Sequence, residues 1–102
     1  MKFYKMQIYK ITYPTGKIYI GKDRYGSFRY MGSPDPDIIN EDFLKLSKDK
    51  QRKYSIEKEI LWEKESTTID ELSEKEIYYI LLYNSNNPKI GYNRWPKFKE
   101  IN

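Results

Sequence analysis

The feature that most constrains the fold is a hairpin in the first quarter of the chain. Residues 4–13 are rich in aromatic and branched apolar side chains, which favour a β-strand. Pro-Thr-Gly at 14–16 predicts a turn, and residues 17–20 predict a second strand that ends at Gly21. Because the connecting turn is so short, the two strands must pair antiparallel.

The register of this hairpin decides which side chains meet. A three-residue loop built on a type I turn places Ile11 opposite Tyr19 and Tyr9 opposite Gly21. The side chains expected to share one side of the sheet are Tyr9, Ile11, Lys17 and Tyr19, and a shift of one residue would separate the two tyrosines. This arrangement would place two hydroxyls and a positive charge together, as a catalytic site could require. Tyrosines are also ordinary strand residues, however, and lysines are often solvated.

The rest of the chain predicts two helices and one further strand. Prolines and acids at 34–37 are typical of a helix start, and apolar residues at helical spacing follow them. Alternation over 54–62 predicts a third strand with one solvent-facing side. Thr68 and Glu71 match a capping box, which predicts a helix from there to about Tyr83. The remaining predictions are a loop or short irregular helix at 22–33, a charged connection at 48–53 and a short edge strand at 90–93.

The composition limits the chemistry available to the chain. Its 102 residues suit one domain, with a core at about residues 4–95 and a tail at 97–102. Histidine and cysteine are absent, which excludes His-dependent triads, cysteine nucleophiles, disulfides and His/Cys zinc sites. A metal would need oxygen ligands, which favours Mg²⁺.

The charge and hydropathy patterns bear on partners and location. The net charge of +4 suits a polyanionic partner. No apolar run is long enough to cross a membrane, and the first residues do not resemble a secretory signal. A cytoplasmic protein without membrane contact is therefore expected.

Glu76 stands out in the predicted last helix, because it falls within an apolar stripe at helical spacing. The stripe consists of Leu72, Tyr79, Ile80 and Tyr83. A buried carboxylate is costly unless it is paired or holds a metal, so Glu76 is a candidate metal ligand. The alternative is a glutamate at the rim of the stripe, paired with Lys75 or another lysine.

Basic and aromatic side chains are interleaved in the segment after the hairpin. They are Arg24, Tyr25, Phe28, Arg29 and Tyr30. Such a loop could hold phosphate with its arginines while an aromatic ring stacks on a base. Ordinary packing with a charged rim produces the same composition.

Taken together, these motifs resemble the GIY-YIG nuclease family. The second motif is intact as Tyr19-Ile20-Gly21, and the first is present as Gln7-Ile8-Tyr9, with glutamine in place of the family's leading glycine. The helix with Glu76 is similar to the family's catalytic-glutamate helix. Gly91-Tyr92-Asn93 is similar to the Gly-Tyr-Asn that follows it. The resemblance spans about residues 6–95.

The resemblance implies an α+β fold, with a small central sheet of three mostly antiparallel strands flanked by helices. This agrees with the elements predicted above. It also implies a divalent-metal-dependent endonuclease that hydrolyses DNA phosphodiester bonds with Mg²⁺ or Mn²⁺. Carried over by position, the family's tyrosine pair, arginine, metal-binding glutamate and asparagine fall on Tyr9, Tyr19, Arg29, Glu76 and Asn93.

The implied mechanism gives each of these residues a role. Tyr19 or Tyr9, or metal-bound water, removes the proton from the attacking water. Glu76 holds the metal, and Arg29 braces the scissile phosphate.

The arginine has alternatives within the chain. Glycines around Arg29 give its segment poor helical character, so Arg24 or Arg52 could supply the guanidinium instead. Lys17, Lys22 or the metal could lower a tyrosine pKa by stabilising the phenolate. The candidates for further contacts with nucleic acid are Lys17, Lys22, Arg24 and Asn93, the last of which could instead cap a turn.

Two other function classes are compatible with the sequence. The chain could be a non-catalytic nucleic-acid-binding module on the same scaffold, since Gln7 departs from the family motif. It could also be a small protein-interaction domain whose exposed aromatic residues form the contact surface. As a nuclease it would read little DNA sequence, unless it forms a homodimer or joins an additional specificity subunit.

Overall fold

The computed structural model describes residues 5–100, which form an α+β fold with one three-stranded sheet and three helices. The elements are β1 (Met6–Thr12), β2 (Ile18–Asp23), α1 (Pro36–Leu44), α2 (Lys48–Arg52), β3 (Glu57–Lys64) and α3 (Ile69–Tyr83). The central strand is β1, which pairs antiparallel with β2 on one side and β3 on the other. The predicted small antiparallel sheet flanked by helices is confirmed.

The predicted hairpin register is also confirmed. Tyr9 pairs with Gly21 and Ile11 pairs with Tyr19. The turn closes through Gly16, whose φ of +86° lies in the left-handed region that the three-residue loop requires. The first strand was expected to begin at residue 4, which lies outside the described residues, as do residues 101–102 of the expected tail.

The second strand is longer than predicted, because Gly21 lies inside β2 rather than at its end. The strand requires a glycine at this position, because the Tyr9 ring packs directly over its backbone. A methyl group at Gly21 would overlap the tyrosine hydroxyl. The strand continues to Asp23, where its carboxylate starts the next loop.

The third strand is shifted from the predicted 54–62 and contains a β-bulge. Ile8 pairs with Trp62 and Tyr9 pairs with Ile60, so Leu61 is an extra residue on β3. Strict alternation placed Leu61 and Trp62 on opposite sides of the sheet. Because of the bulge, both pack against the core on the α3 side.

The helices begin and end at capping residues. The acceptors at the three helix starts are Asp35 for the N–H of Asp37, Ser47 for that of Lys50 and Thr68 for that of Glu71. The segment predicted as a charged connection at 48–53 is therefore a short helix with its own cap. The last helix ends at Asn84, whose φ of 56° is left-handed.

The core lies between the sheet and α3. Its buried side chains are Ile8, Ile20, Leu72 and Ile80. Tyr9 and Ile11 are buried on the other side of β1, where the segment 24–33 covers the Tyr9 ring. No helix within residues 5–100 combines the length and hydrophobicity needed to cross a membrane.

Candidate active site at the hairpin and the last helix

Two adjoining clefts lie where β2 packs against α3, and both are lined by Tyr19, Lys22 and Glu76. The first, here the hairpin cleft, has a volume of about 700 Å³ and extends under the segment 24–30. The second, here the C-terminal cleft, has a volume of about 680 Å³ and extends toward residues 92–95. The predicted site residues that line the hairpin cleft are Tyr9, Tyr19, Lys22, Arg24, Arg29 and Glu76.

Tyr9 forms the buried wall of the hairpin cleft. Its ring centroid lies 6.5 Å from that of Tyr19 and 6.0 Å from that of Tyr30, which meets it edge-on. Burial, followed by the neighbouring Tyr19 and Tyr30, raises the pKa of the Tyr9 hydroxyl far above its ordinary value. The hydroxyl therefore keeps its proton, and Tyr9 is poorly suited to act as a base in this arrangement.

Tyr19 lies at the junction of the two clefts and is only partly buried. Burial raises its pKa, and the negative charge of Glu76 raises the pKa further. A hydrogen bond from the Ser33 backbone opposes both effects by stabilising the phenolate. Because Tyr19 is partly exposed and lines both clefts, whereas Tyr9 is buried, Tyr19 is the tyrosine that a molecule bound in either cleft can reach.

Glu76 occupies the position that its helical spacing predicts. Leu72 and Ile80, one turn before and after it, are buried against the sheet. The Glu76 side chain is 22% exposed. Burial raises the pKa of its carboxyl, whereas the ammonium and backbone N–H of Lys22 partly offset that rise.

The pairing of Glu76 with a lysine is loose. Lys22 Nζ lies 3.9 Å from Glu76 Oε1 and donates a hydrogen bond of 2.9 Å to Ser73 Oγ. A partly desolvated carboxylate with a distant cation retains oxygen lone pairs that can bind another positive charge.

The donor set around Glu76 suits one hard divalent cation. Mg²⁺ is commonly held by one or two carboxylates together with substrate phosphate and water, and it does not need a cage of acids. Within residues 5–100 there is no group of three or more acidic side chains that could hold a metal. Asp35 also lines the C-terminal cleft but is paired with Arg94, which leaves Glu76 as the carboxylate for the cation. The hydroxyls of Ser73 and Tyr19 line the same cleft.

The two arginines of the segment 24–30 both line the hairpin cleft. The Arg24 guanidinium lies 5.8 Å from the Tyr25 ring centroid, and that of Arg29 lies 5.7 Å from the Phe28 centroid. Among the described residues, neither arginine forms an ion pair with a carboxylate. Arg52 lies on α2 and lines neither cleft, and Arg94, which lines the C-terminal cleft, is paired with Asp35. Arg24 and Arg29 are therefore the arginines available to a phosphate.

Lys17 is held away from both clefts, although the hairpin places it on the expected side. Its Nζ lies 3.0 Å from Asp42 Oδ2 and 5.5 Å from the centroid of the Tyr92 ring. The hydrogen bond that Lys17 donates to Asp42 holds the pKa of the Asp42 carboxyl below its ordinary value. Lys17 therefore links the hairpin to α1 and does not act on Tyr19.

Asn93 lines the C-terminal cleft but is committed to the backbone of β2. Its Oδ1 accepts from the Ile20 N–H at 2.8 Å, and its Nδ2 donates to the Ile20 carbonyl at 2.8 Å. Ile18 forms an isolated parallel bridge with Gly91, which is all that remains of the predicted edge strand at 90–93. Residues 91–93 thus satisfy backbone hydrogen-bonding groups on the outer edge of β2, on both sides of Tyr19.

Lys58 was not predicted as a site residue, yet it fastens the arginine-bearing segment to the sheet. Its Nζ donates to the carbonyls of Ser27 at 2.9 Å and Tyr30 at 2.7 Å, and it lies 4.7 Å from the Tyr9 ring centroid. Burial lowers the pKa of its ammonium group. The alternating pattern of β3 predicts which face of the strand carries Lys58, but no local sequence signal predicts which carbonyls it binds.

Asp23 fixes the other end of the same segment. This buried carboxylate accepts hydrogen bonds from the N–H groups of Tyr25 at 2.9 Å and Ser27 at 2.7 Å. An aspartate followed by glycine and serine is a typical turn signal, so this role was accessible from the sequence. Together, Asp23 and Lys58 hold Arg24 and Arg29 over the cleft.

The chain matches no known family model, no curated protein and no solved structure. The relation to the GIY-YIG family therefore stays a prediction from the motifs and their spacing.

Proposed function

We propose that the protein is a divalent-metal-dependent endonuclease of the GIY-YIG type that hydrolyses DNA phosphodiester bonds. One observation carries this proposal. Tyr19, Arg29 and Glu76 come from three separate parts of the chain, were singled out by independent motifs, and line the same cleft. In the proposed hydrolysis, a cation and a guanidinium neutralise the phosphate, and a hydroxyl orients the attacking water. This cleft supplies a carboxylate for the cation, a guanidinium and a tyrosine hydroxyl.

The positive groups would bind the phosphate before any bond is broken. Arg29, which has no carboxylate partner among the described residues, donates hydrogen bonds to the phosphoryl oxygens, and Arg24 contacts the neighbouring phosphate. Glu76 holds the cation, with Ser73 and Tyr19 lining the space beside it. A bound Mg²⁺ or Mn²⁺ supplies positive charge that offsets the charge developing on the phosphate and the leaving oxygen.

Tyr19 is the residue that would orient and deprotonate the attacking water. Its raised pKa means that the phenolate is scarce while the cleft contains only protein charges. A cation held by Glu76 would offset the effect of the carboxylate on Tyr19 and would lower the Tyr19 pKa toward the working range. Tyr19 would therefore become competent as a base only with a cation bound beside Glu76, which would tie proton removal to metal binding.

The test is nicking of supercoiled plasmid DNA by the purified protein with Mg²⁺ or Mn²⁺. The parent should nick the plasmid, and Glu76→Ala should abolish nicking while circular dichroism shows an unchanged fold. Glu74→Ala, an exposed glutamate on the same helix, is the matched control and should retain activity. An inactive parent, or a Glu76→Ala variant that cleaves as well as the parent, contradicts the proposal.

A non-catalytic nucleic-acid-binding module is the second candidate. It is favoured by the raised pKa of both tyrosines and by the position of Lys22 beside Glu76, where it competes with a metal. This function predicts binding that weakens with salt and is indifferent both to divalent cations and to Glu76→Ala. Metal-dependent nicking separates it from the nuclease.

A further inference from the structure

One exposed aromatic ring lines the C-terminal cleft, and another lies beside an arginine of the hairpin cleft. Trp95 is 72% exposed and lines the C-terminal cleft together with Tyr19 and Glu76. Phe28 is 84% exposed and does not itself line a cleft, but its ring centroid lies 5.7 Å from the guanidinium of Arg29, which lines the hairpin cleft. Singly exposed rings are common on protein surfaces, so it is the cleft and the charges beside these two rings that indicate a binding surface.

The charges around these rings differ between the two ends. Arg94 is paired with Asp35 near Trp95, and Lys22 lies beside Glu76 at the junction of the clefts. Arg24 and Arg29 have no such partner among residues 5–100, and the buried Asp23 nearby is already occupied by two backbone N–H groups. Uncompensated positive charge is thus concentrated at the hairpin end.

An arginine lying over an exposed ring offers two kinds of contact within a few ångströms. The guanidinium binds a phosphate oxygen, and the ring presents an apolar face of the size of a nucleobase. The Arg29–Phe28 pair has this arrangement, and the Trp95 ring offers a second face at the other end of the surface.

We infer that the joined clefts bind a DNA strand whose bases are unpaired, with bases stacked on Trp95 and Phe28 on either side of Glu76. In a continuous duplex both faces of each base are covered by its neighbours, so these rings could not stack on it. A single strand or an opened segment of duplex exposes its base faces. The inference rests on the proposed function and names the substrate class of that site.

The two tryptophans allow a direct measurement. Trp62 is partly buried and packs against the core, so Trp62→Phe leaves Trp95 as the sole tryptophan with a conservative change. Oligothymidylate is titrated into this variant at low salt with EDTA, which prevents cleavage, and a blunt duplex of the same length is titrated in parallel. We expect saturable quenching of Trp95 fluorescence by the single strand, with affinity about tenfold tighter than for the duplex.

Variants in the parent background test the rings themselves. Trp95→Ala should weaken binding of the single strand about tenfold, as measured by anisotropy of a labelled oligonucleotide. Tyr78→Ala removes another exposed aromatic ring, which lies on α3 and lines neither cleft, and it should bind like the parent. Because Trp95 and Tyr78 are both exposed, circular dichroism should show native folds.

The outcomes separate this inference from the proposed function. Equal affinity for duplex and single strand, or normal binding by Trp95→Ala, overturns the inference alone. Failure to bind either form at low salt contradicts both the inference and the proposed function. A preference for the single strand without plasmid nicking supports the inference and contradicts the nuclease.

Discussion

Lys22 Nζ lies 3.9 Å from Glu76 Oε1 and 2.9 Å from Ser73 Oγ. The lysine therefore donates a hydrogen bond to the serine hydroxyl and is only loosely paired with the carboxylate. Burial remains the largest influence on Glu76 and raises its pKa. The fold therefore keeps a partly desolvated carboxylate in a cleft without fully neutralising it. Such an arrangement costs stability and is typical of a functional site.

Glu76→Gln should stabilise the fold at pH 7 while it abolishes metal-dependent cleavage. The folded pKa of Glu76 is raised, so its protonated form favours folding below the ordinary pKa of 4.5, and that benefit is lost as the pH rises through the folded pKa. Glutamine removes the cost of the buried charge. Urea denaturation should show a higher midpoint at pH 7 and a difference that disappears well below pH 4.5. A less stable variant at pH 7 would contradict the argument.

Tyr19→Phe should lower kcat about 100-fold, which is the usual effect of losing a general base. Tyr9→Phe is the control, and it should retain most of the activity because the buried Tyr9 hydroxyl keeps its proton. Since burial and Glu76 raise the pKa of Tyr19 in the free protein, kcat/KM of the parent should increase from neutral into alkaline pH. Equal losses in the two variants would mean that Tyr9 takes part in the chemistry.

Asn93→Ala should reduce the free energy of unfolding by about 1–3 kcal/mol, because it leaves the N–H and the carbonyl of the buried Ile20 without their partner. Chemical denaturation measures this change. The control Asn40→Ala, an exposed residue on α1, should lie within about 0.5 kcal/mol of the parent. A fully stable Asn93→Ala variant with lost activity would instead assign Asn93 to the chemistry.

Lys58→Met should free the segment that carries Arg24 and Arg29. The loss of two hydrogen bonds from a charged donor should increase opening of the segment, and hence tryptic cleavage after these arginines, by about tenfold. Peptide mapping over time measures the rate. Lys53→Met, which removes an exposed lysine and one tryptic site, is the matched control. An unchanged rate would show that the segment is held by its other contacts.

Arg29→Ala should lower kcat/KM about 100-fold, as expected for a donor that stabilises charge on the phosphate. Arg52→Ala should have little effect, since Arg52 lies on α2 and lines neither cleft. Arg24→Ala should mainly weaken binding and make the salt dependence of binding shallower. Steady-state cleavage at two salt concentrations distinguishes the three variants, and a large loss in Arg52→Ala would contradict the placement of the cleft.

The hairpin, the last helix and Glu76 could be predicted because their signals are local. A three-residue turn sets the Tyr9–Gly21 register, and Thr68 starts α3 by accepting from the Glu71 N–H. The spacing of Leu72, Glu76 and Ile80 places the carboxylate on the buried face. Turn geometry, capping and periodicity each act over a few residues, so the sequence alone carries them.

The roles of Lys17, Lys58 and Asn93 depended on tertiary structure. Asp42 binds Lys17, the carbonyls of Ser27 and Tyr30 bind Lys58, and Ile20 binds Asn93. These partners are far apart in the chain. A charged or amide side chain bonds whichever group the loops bring within about 3 Å, and no local pattern encodes that path. The sequence by itself therefore determined which elements form and which residues could act, whereas only the packing decided which of them meet in the cleft.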